Sequence, residues 1–587
     1  MRIQQLNKVK ELRLDAEEYR KEQLSDNEIR RYEALWEGEY LDIDTDCEIL
    51  PVPVLVSDAQ RQKAGLLGGE PRVDITTVVP EKVPGARINT EKQNHLIRQL
   101  RLMDQLEDAV QDAITLGTGV LLDGFGSEFG IHPDTSLNGF DHTRQNENYE
   151  RIEYNDNVYE NLPWTLRIHP SMFLVPPNTV RIADATCMFI GYIRHIDDVK
   201  ADEKLIAKHR KAVKADCCYG DKAQRRRGRN TDDEYILLWD YYDLKTNHRV
   251  TFNEHYPYAL QDEVDEMLIR LDRLPVHIIQ FNKPSQLFWA TPDFKLLWNL
   301  AKEINDIRSM QSKLRHLQVA KGFYDVDKLD ALDPEDQERF KKAIDDLTSD
   351  EVMAMIGIHG DPNSFMHTFT PNQPYDFKPQ LDVAKEEIEQ FGLGIGKQQK
   401  GQMAAGRHTK YETQVAEGHF DRSMAPRRKI IADIISDVVT NWSKLLFDFQ
   451  IEPDIVKTTD AMGNPVVVEF TGADIRADYD YKVSIESMRS KSQDERIEEA
   501  NMILSQCQPF VQMRIINPAN LIKQYLSRIG TDWNIESLLM QQGPQGAPPM
   551  PFDQFQQGFM PPQGRPPQGM PMMPMRQMIP PPQGKPR

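Results

Sequence analysis

The sequence predicts an α+β protein. Two long runs with helical spacing, starting near Pro292 and Tyr411, give it helices too long for a sheet-dominated fold. Between them and before them lie short β-rich runs broken by Gly, Pro and Asn, which read as strands of mixed sheets and hairpins. Apolar side chains make up 39% of the 587 residues, enough for sizeable cores in about three or four domain-sized units.

The first forty residues read as two helices. Leu6, Val9, Leu12 and Leu14 recur at helical spacing, and Ser25-Asp-Asn-Glu28 forms a capping box ahead of Ile29, Tyr32, Leu35 and Trp36. Thr90 is placed to cap a helix carrying Leu96, Leu100, Met103, Leu106, Val110 and Ile114. That helix ends at Gly117-Thr-Gly119 and passes into the apolar strand VLLDGFG. Residues 131–160 are polar and read as a surface loop. Leu166, Ile168, Phe173 and Val175, then Cys187, Phe189 and Tyr192, alternate as strands, with a short helix from Asp197. YILLWDYYDLKTNHRVTF reads as a hairpin split at Lys245-Thr-Asn247. The cluster Arg225-Arg-Arg-Gly-Arg229 before it reads as a solvated hairpin tip, with DNA contact as the other reading.

PDFKLLWNLAKEINDIRSMQSKLRHLQVAKG has Pro at its first turn and no internal breaker. It predicts one helix of about 25 residues, roughly 37 Å long. Residues 321–378 follow, with strands expected at GFYDV and EVMAMIGI around the charged helix DPEDQERFKKAIDDL. A second helix, LDVAKEEIEQFGL, leads into GLGIGKQQKGQMAAGRHTK at 392–410. The helix from about Tyr411 to Phe449 should kink or break at Pro426. NPVVVEFTGADIRADYDYKVSI reads as hairpin-like, and further helices are expected at 491–507 and 516–528. From about Gln541 the Pro, Gln, Gly and Met composition predicts a disordered C-terminal segment.

The net charge of −20, from 71 basic and 91 acidic side chains, excludes wrapping nucleic acid by bulk attraction. Any DNA contact must come from a local basic patch. Five scattered cysteines form no CxxC pair and suit free thiols in a reducing compartment. Cys217–Cys218 is only a weak metal signal. No run approaches the ~18–20 apolar residues of a membrane span, and MRIQQLNKVKELRLDAEEYRKEQ has no signal-peptide core. A chain made and kept in cytoplasm, or in something assembled there, is expected.

Glycine and cations at 392–410 suggest phosphate, and two nucleotide motifs can be tested. A P-loop needs G-x-x-x-x-G-K-[ST] after a buried strand. Here Gln398 follows Gly396-Lys397, Phe391 stands at the first glycine position, and a charged helix precedes. The dinucleotide fingerprint lacks its third glycine. There is no G-x-S-x-G elbow and no H-E-x-x-H, and the histidines do not cluster. No catalytic residue, metal ligand or cofactor is therefore assigned, and the chain is not read as an enzyme. A metal-dependent nuclease has no short signature and stays as the alternative.

The order long helix, mixed insert, helix, glycine-rich basic loop, long helix resembles the portal proteins of tailed bacteriophages, the head–tail connectors. The resemblance spans Trp36-x-Gly-Glu-Tyr to about residue 535 and rests on the helix ending in Gly117-Thr-Gly119, RIHPSMFLVPPNTVRIADA, PDFKLLWNLAKEINDIRSMQSK and GRHTKYETQVAEGHF. It implies the portal fold. N-terminal helices and wing would occupy 1–291, stem helices 292–320 and 379–391, and the clip 321–378. The tunnel loop would be 392–410, the long helix and wing strands 411–489, and the crown 490–540. The Pro/Gln/Met-rich segment 541–587 does not look like the helical barrel of some members.

The resemblance further implies a ring, usually of twelve subunits, at one capsid vertex of the virion. Such a ring nucleates capsid assembly, admits and ejects double-stranded DNA, and docks terminase and then head–tail adaptor or tail proteins. Major capsid and scaffolding proteins would be further partners, with no membrane. In a closed ring Lys397, Lys400, Arg407 and Lys410 become rings of positive charge in the channel, with His408 adding charge at low pH. Glycine would give the loop mobility. A flexible surface linker is the plain reading of the same stretch. A structural capsid protein without a channel is the remaining rival.

Overall fold

The computed structural model describes residues 3–38, 52–126, 162–177, 179–202, 204–216, 235–317, 320–327, 331, 333–348, 353–358, 366–369, 377–391, 410–450, 453–459, 465–484, 493–512, 521 and 550–551. It is a mixed α+β protein built from several small sheets, most of them antiparallel.

The largest core is organised around a 40-residue helix, which we call α12 (Lys410–Phe449). Its side chains Ile431, Ile435, Val438, Val439, Trp442, Leu445 and Leu446 are buried. They pack with α5 (Leu102–Thr115), α3 (Val54–Leu66), and the start of α9 (Asp293–Leu317). An antiparallel sheet of order β3-β2-β9 lies beside it, made of β2 (Thr118–Phe125), β3 (Pro163–Ile168) and β9 (Val276–Gln280). Arg167 on β3 donates from Nε and Nη2 to both oxygens of Asp112 on α5, at 2.6 and 2.7 Å.

The turn from α5 into β2 explains the two glycines at 117 and 119. Gly117 has φ +88°, a left-handed value, and a Cβ there would overlap the carbonyl of Ala290. A Cβ at Gly119 would overlap the carbonyl oxygen of Ala109 on α5. Backbone cannot move aside as a side-chain tip can. Gly119→Ala is therefore expected to destabilise the fold by about 2–3 kcal/mol, the upper range for overpacking. A shifted urea midpoint with unchanged slope would show it, and an unshifted midpoint would show that α5 and β2 can separate freely.

A second, five-stranded antiparallel sheet has the order β4-β5-β6-β7-β8. Its strands are β4 (Phe173–Leu174), β5 (Cys187–His195), β6 (Tyr235–Asp243), β7 (His248–Phe252) and β8 (Gln261–Val264). The β6–β7 hairpin turns where Asn247 takes φ +54°. The N-terminal helix α1 (Ile3–Gln23) lies on this sheet through Leu6, Val9 and Ala16, which pack with Phe189, Trp239 and Phe252. Arg13 stacks 5.0 Å from the Trp239 ring centre and donates to Glu254. The expected Ser25 capping box is present at the start of α2 (Asp26–Trp36), with both reciprocal bonds made.

This N-terminal pair is acid-sensitive. Burial works against the charges of Glu17, Asp26 and Glu28. Lys21 and Arg13 at Glu17, Arg20 and Lys21 at Asp26, and Lys295 with the Ser25 cap at Glu28 outweigh it, so all three carboxyls titrate below their ordinary 4.5, 3.8 and 4.5. A carboxylate depressed on folding contributes stability above its unfolded pKa and loses it as pH falls through the folded one. Docking of α1 and α2 should be complete above pH 4.5 and weaken below 3.8. Trp239 fluorescence, followed from about pH 5 to about pH 3, should report the loss of Arg13 stacking before global unfolding. A signal that moves only with global unfolding would refute local release.

Residues 293–391 follow the sequence reading closely. The helix α9 is continuous from Asp293 to Leu317. A three-stranded sheet comes next, β11-β10-β12, from β10 (Ala320–Asp325), β11 (Met353–Ile358) and β12 (Met366–Phe369). β10 and β11 are parallel, joined across α10 (Pro334–Thr348), and β12 is antiparallel to β10. The chain then enters α11 (Lys378–Phe391).

Four expectations are corrected. Thr90 does not start a helix: α4 runs from Val83 to Gln99, and Arg101 at φ +50° separates it from α5. The Thr90 hydroxyl is engaged instead by the Ala86 carbonyl and the Ile75 backbone. Pro426 does not break α12, which is helical across it. Buried side chains on both sides of the proline, Met424 and Arg427, hold the helix in place there. The stretch 464–485 is not one hairpin. β14 (Pro465–Phe470) pairs with β13 (Asp454–Thr459), while β15 (Asp480–Val483) pairs with β1 (Val73–Thr76). Lastly, Met550 and Pro551, in the segment expected to be disordered, form a short strand, β16, on β14. The helix α13 (Gln493–Gln512) matches the one expected at 491–507 and runs five residues further. The helix expected at 516–528, apart from residue 521, the loop at 131–160 and the Arg225–Arg229 cluster lie outside the described residues.

Candidate nucleic-acid interface

The basic loop is bounded by two helices whose positions are known. α11 ends at Phe391 and α12 begins at Lys410. Lys397, Lys400, Arg407 and His408 lie outside the described residues, and Lys410 is placed only as the first backbone position of α12. Cys217 and Cys218 also lie outside them.

The incoming end is held by a helix pair. The first half of α9 is sunk in the main core through Phe294, Leu297 and Ala301. Its next turns leave that core: Ile304 and Ile307 instead pack on Leu381, Ala384 and Ile388 of α11, with Val52 and Val54 against them. Asn305 accepts from the Val52 backbone at 2.9 Å, fixing the chain ahead of α3 to the same place.

The helix that follows the loop is anchored further along by an ion pair. Arg427 lies seventeen residues into α12, about 26 Å from its first residue at ~1.5 Å per residue. Both its Nη atoms donate to Asp293 at the start of α9, at 2.7 and 3.0 Å. Nη1 also donates to Gln62 Oε1 at 2.6 Å and Nη2 to Asn282 Oδ1 at 3.3 Å. Its guanidinium lies 4.7 Å from the Phe281 ring centre. Arg427 and Asp293 are each buried, and Asp293 also accepts from Asn282. The neighbouring Arg428 donates to the Gly65 carbonyl at 2.9 Å. One buried arginine thus locks together α12, the start of α9, α3 and the end of β9.

A second polar knot sits deeper. Asp123 on β2 accepts from Thr165 at 2.7 Å and from Asn441 on α12 at 2.7 Å, and His277 Nε2 lies 2.6 Å from its Oδ2. Trp442 Nε1 donates to Thr165 Oγ1 at 3.0 Å, and Arg273 donates to Asn441 Oδ1 at 2.9 Å. An acid, an imidazole and a hydroxyl in contact invite comparison with a nucleophilic triad. Asp123, Thr165, His277, Asn441 and Trp442 are buried, and Thr165 Oγ1 is engaged as both donor and acceptor, so no substrate could reach it. The set fastens α12 to the β3-β2-β9 sheet.

The third cluster, under the five-stranded sheet, has the same character. Arg249 donates to Asp240 at 2.7 Å, and Thr251 and Tyr192 donate to the other oxygen of Asp240. Burial pushes the Asp265 carboxyl up, against the pull of Arg249. Among the described residues no group of three or more His, Cys, Asp or Glu side chains is placed to hold a metal ion. No helix of the described residues is long and apolar enough to cross a membrane.

Sequence reading missed Arg427 and the Asp123 set. Signals for both existed: an aspartate inside the apolar run VLLDGFG, and Arg427-Arg428 directly after Pro426 on an amphipathic helix. No protein-family model matches the chain, and no curated protein does.

Proposed function

We propose that the protein is a ring-forming portal subunit, a non-enzymatic conduit for double-stranded DNA at one capsid vertex. The observation that carries this reading is the helix pair α9–α11. It emerges from the main core, carries the β11-β10-β12 unit between its two helices, and leads straight into the basic loop. In this reading the pair is the stem and the α/β unit is the clip that meets terminase and later an adaptor. The loop then lines the channel.

The surface of the pair supports assembly. Leu296 and Met310 on α9 are 60% and 53% exposed, and Val383 on α11 is 54% exposed. These are apolar side chains for a neighbouring copy to cover. Lys302 and Arg308 are exposed on α9 and Asp382 on α11. A head-to-tail ring needs two different surfaces on each copy, and in this reading α9 and α11 would each present one.

The deciding experiment is native mass spectrometry with negative-stain imaging of the purified protein. Rings near twelve times 67.8 kDa with a duplex-wide hole are the expected result. A monomer that hydrolyses DNA or nucleotide would overturn the proposal in favour of a packaging enzyme.

A further inference from the structure

We propose that the edge of β14 opposite β13 is a strand-addition site, and that its occupant is the Met-Pro segment of this chain's own C-terminal region. This does not rest on the portal reading. β14 is covered on one side by β13 along six residue pairs. Its other edge receives β16 in parallel, with Val468 opposite Met550 and Glu469 opposite Pro551.

The hairpin packs on α4 and α12, yet without a third strand the outer edge of β14 is left open. Two strands alone are marginally stable, and an uncovered edge exposes a row of unpaired backbone groups. Val468 and Phe470 turn inward to Ile88, Val456 and Ile475, while Val467 and Ile455 stay exposed. Lys92 on α4 pairs with Asp454 on β13, and the Gly472 amide donates to Gln450 at the end of α12. The edge is therefore held rigidly against α4 and α12, as a template for an incoming strand must be.

The incoming sequence suits an edge. The run Pro548-Pro549-Met550-Pro551 has three prolines, which fix φ near the extended range and keep Met550, the residue before a proline, extended as well. Little chain entropy remains to be lost on docking. Met550 carries the only backbone N–H in the run, so it alone can donate to β14. Proline on the outer strand then prevents a further strand from adding. The composition that looks unstructured in isolation is thus well suited to complete and terminate a sheet.

Hydrogen exchange on the full-length protein tests this. Met550→Pro removes the single donor, and a second variant ends at residue 540. Both should raise exchange at the β14 amides by roughly tenfold or more, with β5 and β6 unchanged. A synthetic peptide of sequence GAPPMPFDQF, added in excess to the Met550→Pro protein, should restore protection. Unchanged β14 exchange in Met550→Pro and the truncation alike, or no effect of the peptide, would overturn the proposal.

Discussion

Arg427→Ala should lower the stability of the fold by about 3–5 kcal/mol, the cost of leaving the other half of a buried ion pair uncompensated. Asp293 would lose both its guanidinium bonds and keep only Asn282. Gln62 Oε1 would lose its donor while its amide stays on Asp58. The Phe281 face would lose its cation. Arg427→Met fills similar volume, so it isolates the charge from the packing. A double variant, Arg427→Met with Asp293→Leu, removes both charges and should recover much of the loss. Denaturant unfolding of the three variants would measure this coupling. If the double variant is no better than Arg427→Met, the pair is not the source of the stability. The consequence reaches past stability, because α12 is the outgoing support of the basic loop. An Arg427 variant that still folds should show faster amide exchange in the first half of α12 than in the second, where Asn441 keeps its hold on Asp123.

The sequence revealed most where a pattern is local. The Ser25 capping box, the α9 and α12 periodicities and the strands flanking DPEDQERFKKAIDDL are set by residues a few positions apart, and the structure has them. It revealed least where a long-range contact decides. Thr90 is a good cap by composition, yet β1 lies beside it and takes its hydroxyl, and the helix begins seven residues earlier. β14 and β15 are neighbours in sequence, but β1, some four hundred residues away, is the strand that pairs with β15. Pro426 reads as a break because propensity sees the lost hydrogen bond, not Arg427 holding the next turn. The basic loop was found from glycine and charge alone. Arg427 itself had a signal, but its partners could not be read, since Gln62, Asn282 and Asp293 are brought to it only by the fold.

In the proposed ring, neutralising Lys397, Lys400, Arg407 and Lys410 together should leave assembly intact and impair DNA packaging or retention. The reasoning is electrostatic. The chain carries −20 overall, so DNA in a channel through it meets net repulsion except where cations face inward. Each phosphate neutralised contributes about −0.9 to the slope of log K against log salt. Loss of four contacts per subunit would flatten that slope by roughly 3.6 for each subunit engaged. Sparse cations are also what sliding needs, since a channel lined with many would hold DNA in place. Substitution to Gln keeps length and polarity and removes only charge. Ring formation, read from native mass, separates a folding defect from a transport defect, because the described contacts of the helix pair use none of these four side chains. DNA retention measured at about 50 and about 200 mM salt should differ strongly for the parent and weakly for the variant. Normal packaging by intact rings of the variant would remove the loop from the mechanism and leave it a linker between α11 and α12.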